Sequence, residues 1–157
     1  MMVLSTRGVM FERLIVIVGK TGGKEIDMAL PKDFIDTNDF TKEQILAIED
    51  LGLAMKKAIK VDGYYPHLLR NQSLGMIFQQ VSTRTRLSFE SAMLRLGGKT
   101  LGFAGAQLSS ASKGETVEDT ARVVSNYADV IAMRHPKEGA PLRASLSARV
   151  PVINAGD

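Results

Sequence analysis

"SLGMIFQQVSTRTRLSFESAMLRLGG", Ser73 to Gly98, holds an apolar run, a polar joint and a helical pattern in immediate succession. The near-continuous apolar stretch "SLGMIFQQ" predicts a strand buried on both faces, as parallel sheets require. From Ser82 the spacing changes. Leu87, Ala92, Met93 and Leu96 fall on one side of a predicted helix that Gly97-Gly98 closes. The joint contains Ser82, Thr83-Arg84 and Thr85-Arg86, so three hydroxyls and two arginines stand where a strand hands over to a helix.

On either side of this stretch the same alternation continues. Upstream, "PKDFIDTNDFTKEQ" is acidic and turn-rich, and Thr41-Lys42-Glu43-Gln44 fits a capping box. Ile45, Ile48, Leu51, Met55 and Ile59 then recur at helical spacing up to Lys60, before Asp62-Gly63 and Pro66 break the pattern. Downstream, "KTLGFAG" is a second strand and "AQLSSASKGE" a polar loop. Thr116 to Asp119 caps a helix with Val117, Ala121, Val124 and Tyr127 as its inner stripe. "DVIAMRHP" is a third strand, "KEGAPLRASLSARV" contains a short helix, and "VPVINAGD" is a fourth strand. Strands alternating with helices predict an α/β fold, a parallel sheet of about four strands flanked by helices.

Bulk composition narrows the chemistry. With 157 residues the chain is long enough for one domain with a real core. A net charge of +3, without a basic run or interleaved aromatics, argues against a nucleic-acid partner. The absence of cysteine removes disulfides, thiolate catalysis and cysteine zinc sites. His67 and His135 stand far apart, so no metal site is expected, and the cytoplasm is the default compartment. The apolar run Leu14–Val18 is too short to span a bilayer, and no membrane association is expected. "GKTGGK" misses the spacing of a phosphate loop, whose first glycine would fall at Leu14. Residues 1–27 read as a poorly packed extension and 28–157 as the domain.

In open α/β sheets, ligands bind outside the carboxyl ends of the strands. Gln79 to Thr85 sits at such an end and opens a helix, whose first amides lack internal partners and whose dipole favours an anion. Hydroxyls can cap those amides or donate to phosphate oxygens, and arginine offers a planar fork that matches phosphate. The same residues also suit a plain cap with two solvated arginines, and composition alone leaves both open. Arg134, ending the third strand, falls at the same carboxyl edge. Lys113 stands in a loop before a helix, and His135 suits a turn.

"STRTRLSFESAM" (Ser82–Met93), "KGETVEDTARVVSNYADVIAMRHP" (Lys113–Pro136) and "VPVINAGD" (Val150–Asp157) together resemble the aspartate/ornithine carbamoyltransferase family. The resemblance covers about Asp36 to Asp157. It implies the first, carbamoyl-phosphate-binding half of a two-domain enzyme that passes a carbamoyl group to an amine and releases phosphate. It assigns Ser82, Thr83, Arg84 and Thr85 to the phosphate, Arg134 to the carbonyl oxygen and phosphate region, and the catalytic roles to Arg84, Thr85 and Arg134. Ser109 and Lys113 match the pair that enters a neighbouring subunit's site, which implies a homotrimer. No cofactor is implied. Arg86 reads instead as a structural residue that can pair with Glu90 at i,i+4.

The resemblance is incomplete. The family's His-Pro-x-Gln segment and its amine-binding domain do not appear in the sequence, and His135-Pro136 is a different feature. A separate C-terminal half, or a non-catalytic fragment or interface subunit, are both compatible with that. "GYYPHLLRNQSLGMIFQQVSTRTR" resembles putrescine and ornithine members, whereas "MRHPKEGAPLRA" and "NAGD" resemble aspartate members, so the acceptor stays open among the three.

Overall fold

The computed structural model describes residues 30–62, 67–105 and 114–157. After a short 3-10 turn at Thr37–Asp39, four helices and four strands alternate. They are α1 (Lys42–Asp62), β1 (Ser73–Phe78), α2 (Thr83–Arg95), β2 (Lys99–Ala104), α3 (Val117–Val124), β3 (Val130–Arg134), α4 (Ala140–Ser147) and β4 (Val152–Asn154). The strands form one parallel sheet in the order β2-β1-β3-β4. The α/β expectation therefore holds, and so does the strand count.

Side chains alternate across the sheet with a period of two, and this divides the core. Leu74, Met76, Phe78, Val130 and Ala132 face Met93, Leu96 and Phe89 of the α2 segment, with Met55 of α1 beside them. Ile77, Ile131, Met133 and Val152 face the opposite way, onto Val117 and Ala121 of α3 and Ala140 and Ala144 of α4. Ile77, Phe78, Ile131, Ala132 and Met133 are fully buried. Burying each large side chain is worth about 1.5–3 kcal/mol, so the two central strands supply much of the hydrophobic stabilisation.

Local signals set the boundaries. Thr41 and Gln44 exchange the two bonds of a capping box: the Gln44 N–H donates to Thr41 Oγ1 at 3.2 Å, and the Thr41 N–H to Gln44 Oε1 at 2.8 Å. Thr116 Oγ1 accepts from the Asp119 N–H at 3.1 Å. At the end of α2, Gly98 N–H donates to Met93 O at 2.8 Å and Gly97 N–H to Leu94 O at 3.2 Å, the paired bonds of a Schellman motif. Arg86 Nε lies 2.8 Å from Glu90 Oε1, as the i,i+4 spacing anticipates.

Two expectations fail in detail. Leu87 and Ala92 of the predicted α2 stripe are exposed, because α2 turns Phe89 and Met93 to the sheet instead. Tyr127 lies beyond the end of α3 and is exposed. The acidic segment before α1 is turn-rich as expected, with its 3-10 turn at Thr37–Asp39, and it also carries an isolated bridge. Phe34 pairs in parallel with Ile153, its N–H donating to Val152 O at 2.8 Å and its carbonyl accepting from the Asn154 N–H at 2.8 Å. That bridge covers the free edge of β4.

Candidate functional site

The chain leaves β1 towards β2 on one side, yet β3 and β4 lie on the other. The direction of winding therefore reverses between β1 and β3. In open α/β sheets this crevice, outside the carboxyl ends of the strands, is the ligand site. The last β1 residue, Phe78, is in register with the last β3 residue, Arg134. Just beyond, the Gln79 and Gln80 N–H groups both donate to Arg134 O, at 2.9 and 3.3 Å. The loop that leads into α2 is thus tied to the end of β3, which brings the opening hydroxyl–arginine joint and Arg134 to one edge of the sheet.

Period-two alternation puts Arg134 on the face of Val130 and Ala132, the face that α2 covers. Its guanidinium is half-buried. Nη1 donates to Ala155 O at 2.9 Å, and the buried Nε has no partner among the described residues.

Ser82 is the N-cap of α2, with φ −151° and ψ 112°, but its side chain makes no capping bond. Asp36, Thr41 and Thr116, at other helix starts, all cap with their side chains. The first turn of α2 also carries no acidic residue, whereas that of α3 carries Glu118 and Asp119. Within its own first turn, α2 therefore leaves the positive end of its dipole uncompensated, and the Ser82 hydroxyl is not spent on capping, so both can serve an anion. Thr83 and Arg84 are exposed and Thr85 is half-buried. Among the described residues Arg84 forms no ion pair, whereas Arg86 is engaged by Glu90. Ser109 and Lys113 lie outside the described residues. Among the described residues no cluster of three His, Asp or Glu side chains could hold a metal, and no helix is long and apolar enough to cross a membrane.

Two residues at this edge escape a reading of sequence pattern. His135 is buried rather than sitting free in a turn, and its Nδ1 accepts the Lys137 N–H at 2.9 Å. Burial lowers its pKa below the ordinary 6.5, with Lys137 and Arg143 acting in the same direction and the Lys137 hydrogen bond and Asp157 opposing. The folded state then binds fewer protons than the unfolded one, so this contribution is complete above pH 6.5 and is lost as pH falls below it. Urea midpoints measured from pH 7.5 downward should fall below pH 6.5 in the wild type and fall less in His135→Gln. Parallel profiles would disprove the assignment. The second is Asn154, which bonds three separate groups at the end of β4.

Comparison with known proteins identifies the family. The family described as "Aspartate/ornithine carbamoyltransferase, carbamoyl-P binding domain" matches residues 32–157. The chain belongs to this family. The aspartate carbamoyltransferase catalytic subunit of Bifidobacterium adolescentis is 53% identical over 123 residues, covering 73% of this chain and 38% of that protein. That of Clostridium kluyveri is 50% identical over 126 residues, covering 80% and 40%. Among solved structures, the catalytic subunit of M. jannaschii aspartate transcarbamoylase superposes with a TM-score of 0.75 at 46% identity, covering 80% of this chain and 42% of that one. The Trypanosoma cruzi enzyme in complex with N-(phosphonacetyl)-L-aspartic acid gives 0.73 at 36% identity, covering 83% and 44%. This carbamoyltransferase-family chain spans about two-fifths of the length of the curated relatives it matches.

Proposed function

We propose that residues 28–157 form the carbamoyl-phosphate-binding domain of an aspartate carbamoyltransferase. The observation that carries this is the uncapped Ser82 at the start of α2, tied through the Gln79 and Gln80 amides to Arg134 at the topological switch. Ser82, Thr83, Arg84 and Thr85 would take the phosphate through hydroxyls, the Arg84 guanidinium and helix-start amides. Arg134 would lie against the carbonyl oxygen and the bridging region. Aspartate is favoured as acceptor because the relatives above are named for aspartate, not for ornithine or putrescine.

The chemistry follows from the donor. Carbamoyl phosphate is an activated mixed anhydride, so much of the catalysis is positioning. The neutral amine of aspartate attacks the carbonyl carbon, and a carbon–nitrogen bond forms while the bond from that carbon to the phosphate oxygen breaks. The amine loses a proton and inorganic phosphate departs. Negative charge develops on the carbonyl oxygen and on the leaving phosphate, where Arg134, Thr85 and Arg84 would stabilise it. Ser109 and Lys113 would complete the site of a neighbouring copy in a cytoplasmic homotrimer.

Titrating the 157-residue chain with carbamoyl phosphate should shift the amide resonances of residues 79–85 and raise the melting temperature. Absence of both effects rules out a working donor site. A second reading concerns turnover. Because residues 32–157 match a carbamoyl-P binding domain, they would bind the donor, and forming carbamoyl aspartate would call for an acceptor-binding half as well. Carbamoyl-aspartate formation by the chain alone decides this.

A further inference from the structure

The Arg134 guanidinium has one hydrogen-bonded anchor among the described residues, and that anchor comes from a turn 21 residues further along. Nη1 donates to Ala155 O, Nε is buried without a partner, and no other guanidinium bond reaches a described residue. The direction of the fork is therefore set by where the Ala155–Asp157 turn sits. Gly156 makes the contact close: at φ +118° a Cβ there would stand 2.2 Å from Arg134 Nη1. The guanidinium thus lies directly against the turn's backbone.

We propose that Asn154 is the positioning residue for Arg134, because its carboxamide folds this turn. Asn154 Oδ1 accepts the Gly156 N–H at 2.8 Å. Its Nδ2 donates to Ile35 O at 3.2 Å and to Asp157 Oδ1 at 2.9 Å. The other Asp157 oxygen accepts the Gly139 N–H at 2.6 Å, just before α4. The His135 N–H donates to Gly156 O at 3.0 Å, and the Ala155 N–H to Met133 O at 2.7 Å. One side chain therefore joins the turn to the segment before α1 and, through Asp157, to the start of α4, while backbone bonds join it to β3. With a single nitrogen of the fork spent on Ala155, the remaining donors stay available for an oxyanion. Aspartate at this position would keep the acceptor for Gly156 but set a carboxylate against Ile35 O and the Asp157 carboxylate, where two donated bonds now lie.

This inference rests on the proposed donor site, and the test separates the two. The full chain is followed by 1H–15N spectra of the arginine Nε groups, with Arg134 assigned by the signal lost in Arg134→Lys, and by titration with carbamoyl phosphate. Asn154→Ala and Asn154→Asp should each move the Arg134 Nε signal and weaken carbamoyl phosphate binding about tenfold. Ser73→Ala, which removes a hydroxyl bond to Asp129 at the amino end of the parallel sheet, opposite this turn, should lower stability and leave the signal in place. If either Asn154 variant fails to fold, Gly156→Ala, which drives a methyl into the guanidinium, should give the same shift. An unmoved signal with wild-type affinity in the Asn154 variants overturns the positioning role while leaving the donor site intact. Wild-type affinity in Arg134→Met overturns the donor site itself.

Discussion

Gly75→Val should unfold the chain under conditions where the wild type is folded. Gly75 sits in central strand β1, in register with Leu101 on one side and Ile131 on the other. Even a bare Cβ there would stand 2.7 Å from Val124 Cγ1 and 3.0 Å from Ala128 Cβ. The missing side chain is what lets the end of α3 lie against the sheet. Alanine can be met by a shift of the Val124 methyl, at a cost of about 1 kcal/mol, within the lower range for overpacking. Valine adds two branches in a layer that has no room, and moving α3 outward would open the contacts of Val117 and Ala121. We expect a loss of about 3 kcal/mol or more, the upper range for overpacking, against a total stability of about 5–15 kcal/mol. Urea denaturation followed by circular dichroism measures it. A valine variant with the wild-type midpoint would mean that α3 does not pack on β1 as described.

Contrasts of this kind mark what a sequence discloses. The alternation of strand and helix was legible because apolar residues change period, from the near-continuous "SLGMIF" to the helical spacing after Ser82. Thr41–Gln44, Thr116–Asp119 and Arg86–Glu90 were legible because each partner lies within one turn. The exposure of Leu87 was not, since the side that α2 offers to the sheet depends on β1 and β2 rather than on α2 alone. Nor was the Phe34 bridge to β4, or the bond from Asn154 to Ile35, which joins positions 119 residues apart. Nor was the burial of His135, whose backbone N–H reaches Gly156 O just beyond β4. At the candidate site, the hydroxyls and arginines suited both an anion and a plain helix cap. Their common carboxyl edge was legible too; what the fold adds is a β1–β3 reversal that sequence order cannot display, and a Ser82 hydroxyl not spent on its own helix.

Arg134→Met should weaken carbamoyl phosphate binding about 100-fold, the equivalent of roughly 3 kcal/mol for a lost charge-stabilising donor. Methionine keeps much of the aliphatic stem, so packing on the α2 face of the sheet is retained while the cation is removed. Stability should change little. The substitution deletes one bond to Ala155 O but also deletes Nε, a buried donor with no partner among the described residues. Losing an unsatisfied buried group offsets the loss of a satisfied one. The binding loss should therefore appear with a melting temperature near that of the wild type, which separates a ligand contact from a scaffold contact. Arg134→Lys should recover only part of the affinity, because an ammonium supplies charge without the planar fork. Arg86→Met serves as the contrast. That guanidinium is committed to Glu90 at 2.8 Å, so its loss should cost only the few tenths of a kcal/mol of a helical ion pair and leave affinity nearly unchanged. Calorimetric titration of the three variants with carbamoyl phosphate orders them as Arg134→Met weakest, Arg134→Lys intermediate and Arg86→Met close to wild type. An inverted order, with Arg86 the residue that binding depends on, would move the donor site away from the β1–β3 switch.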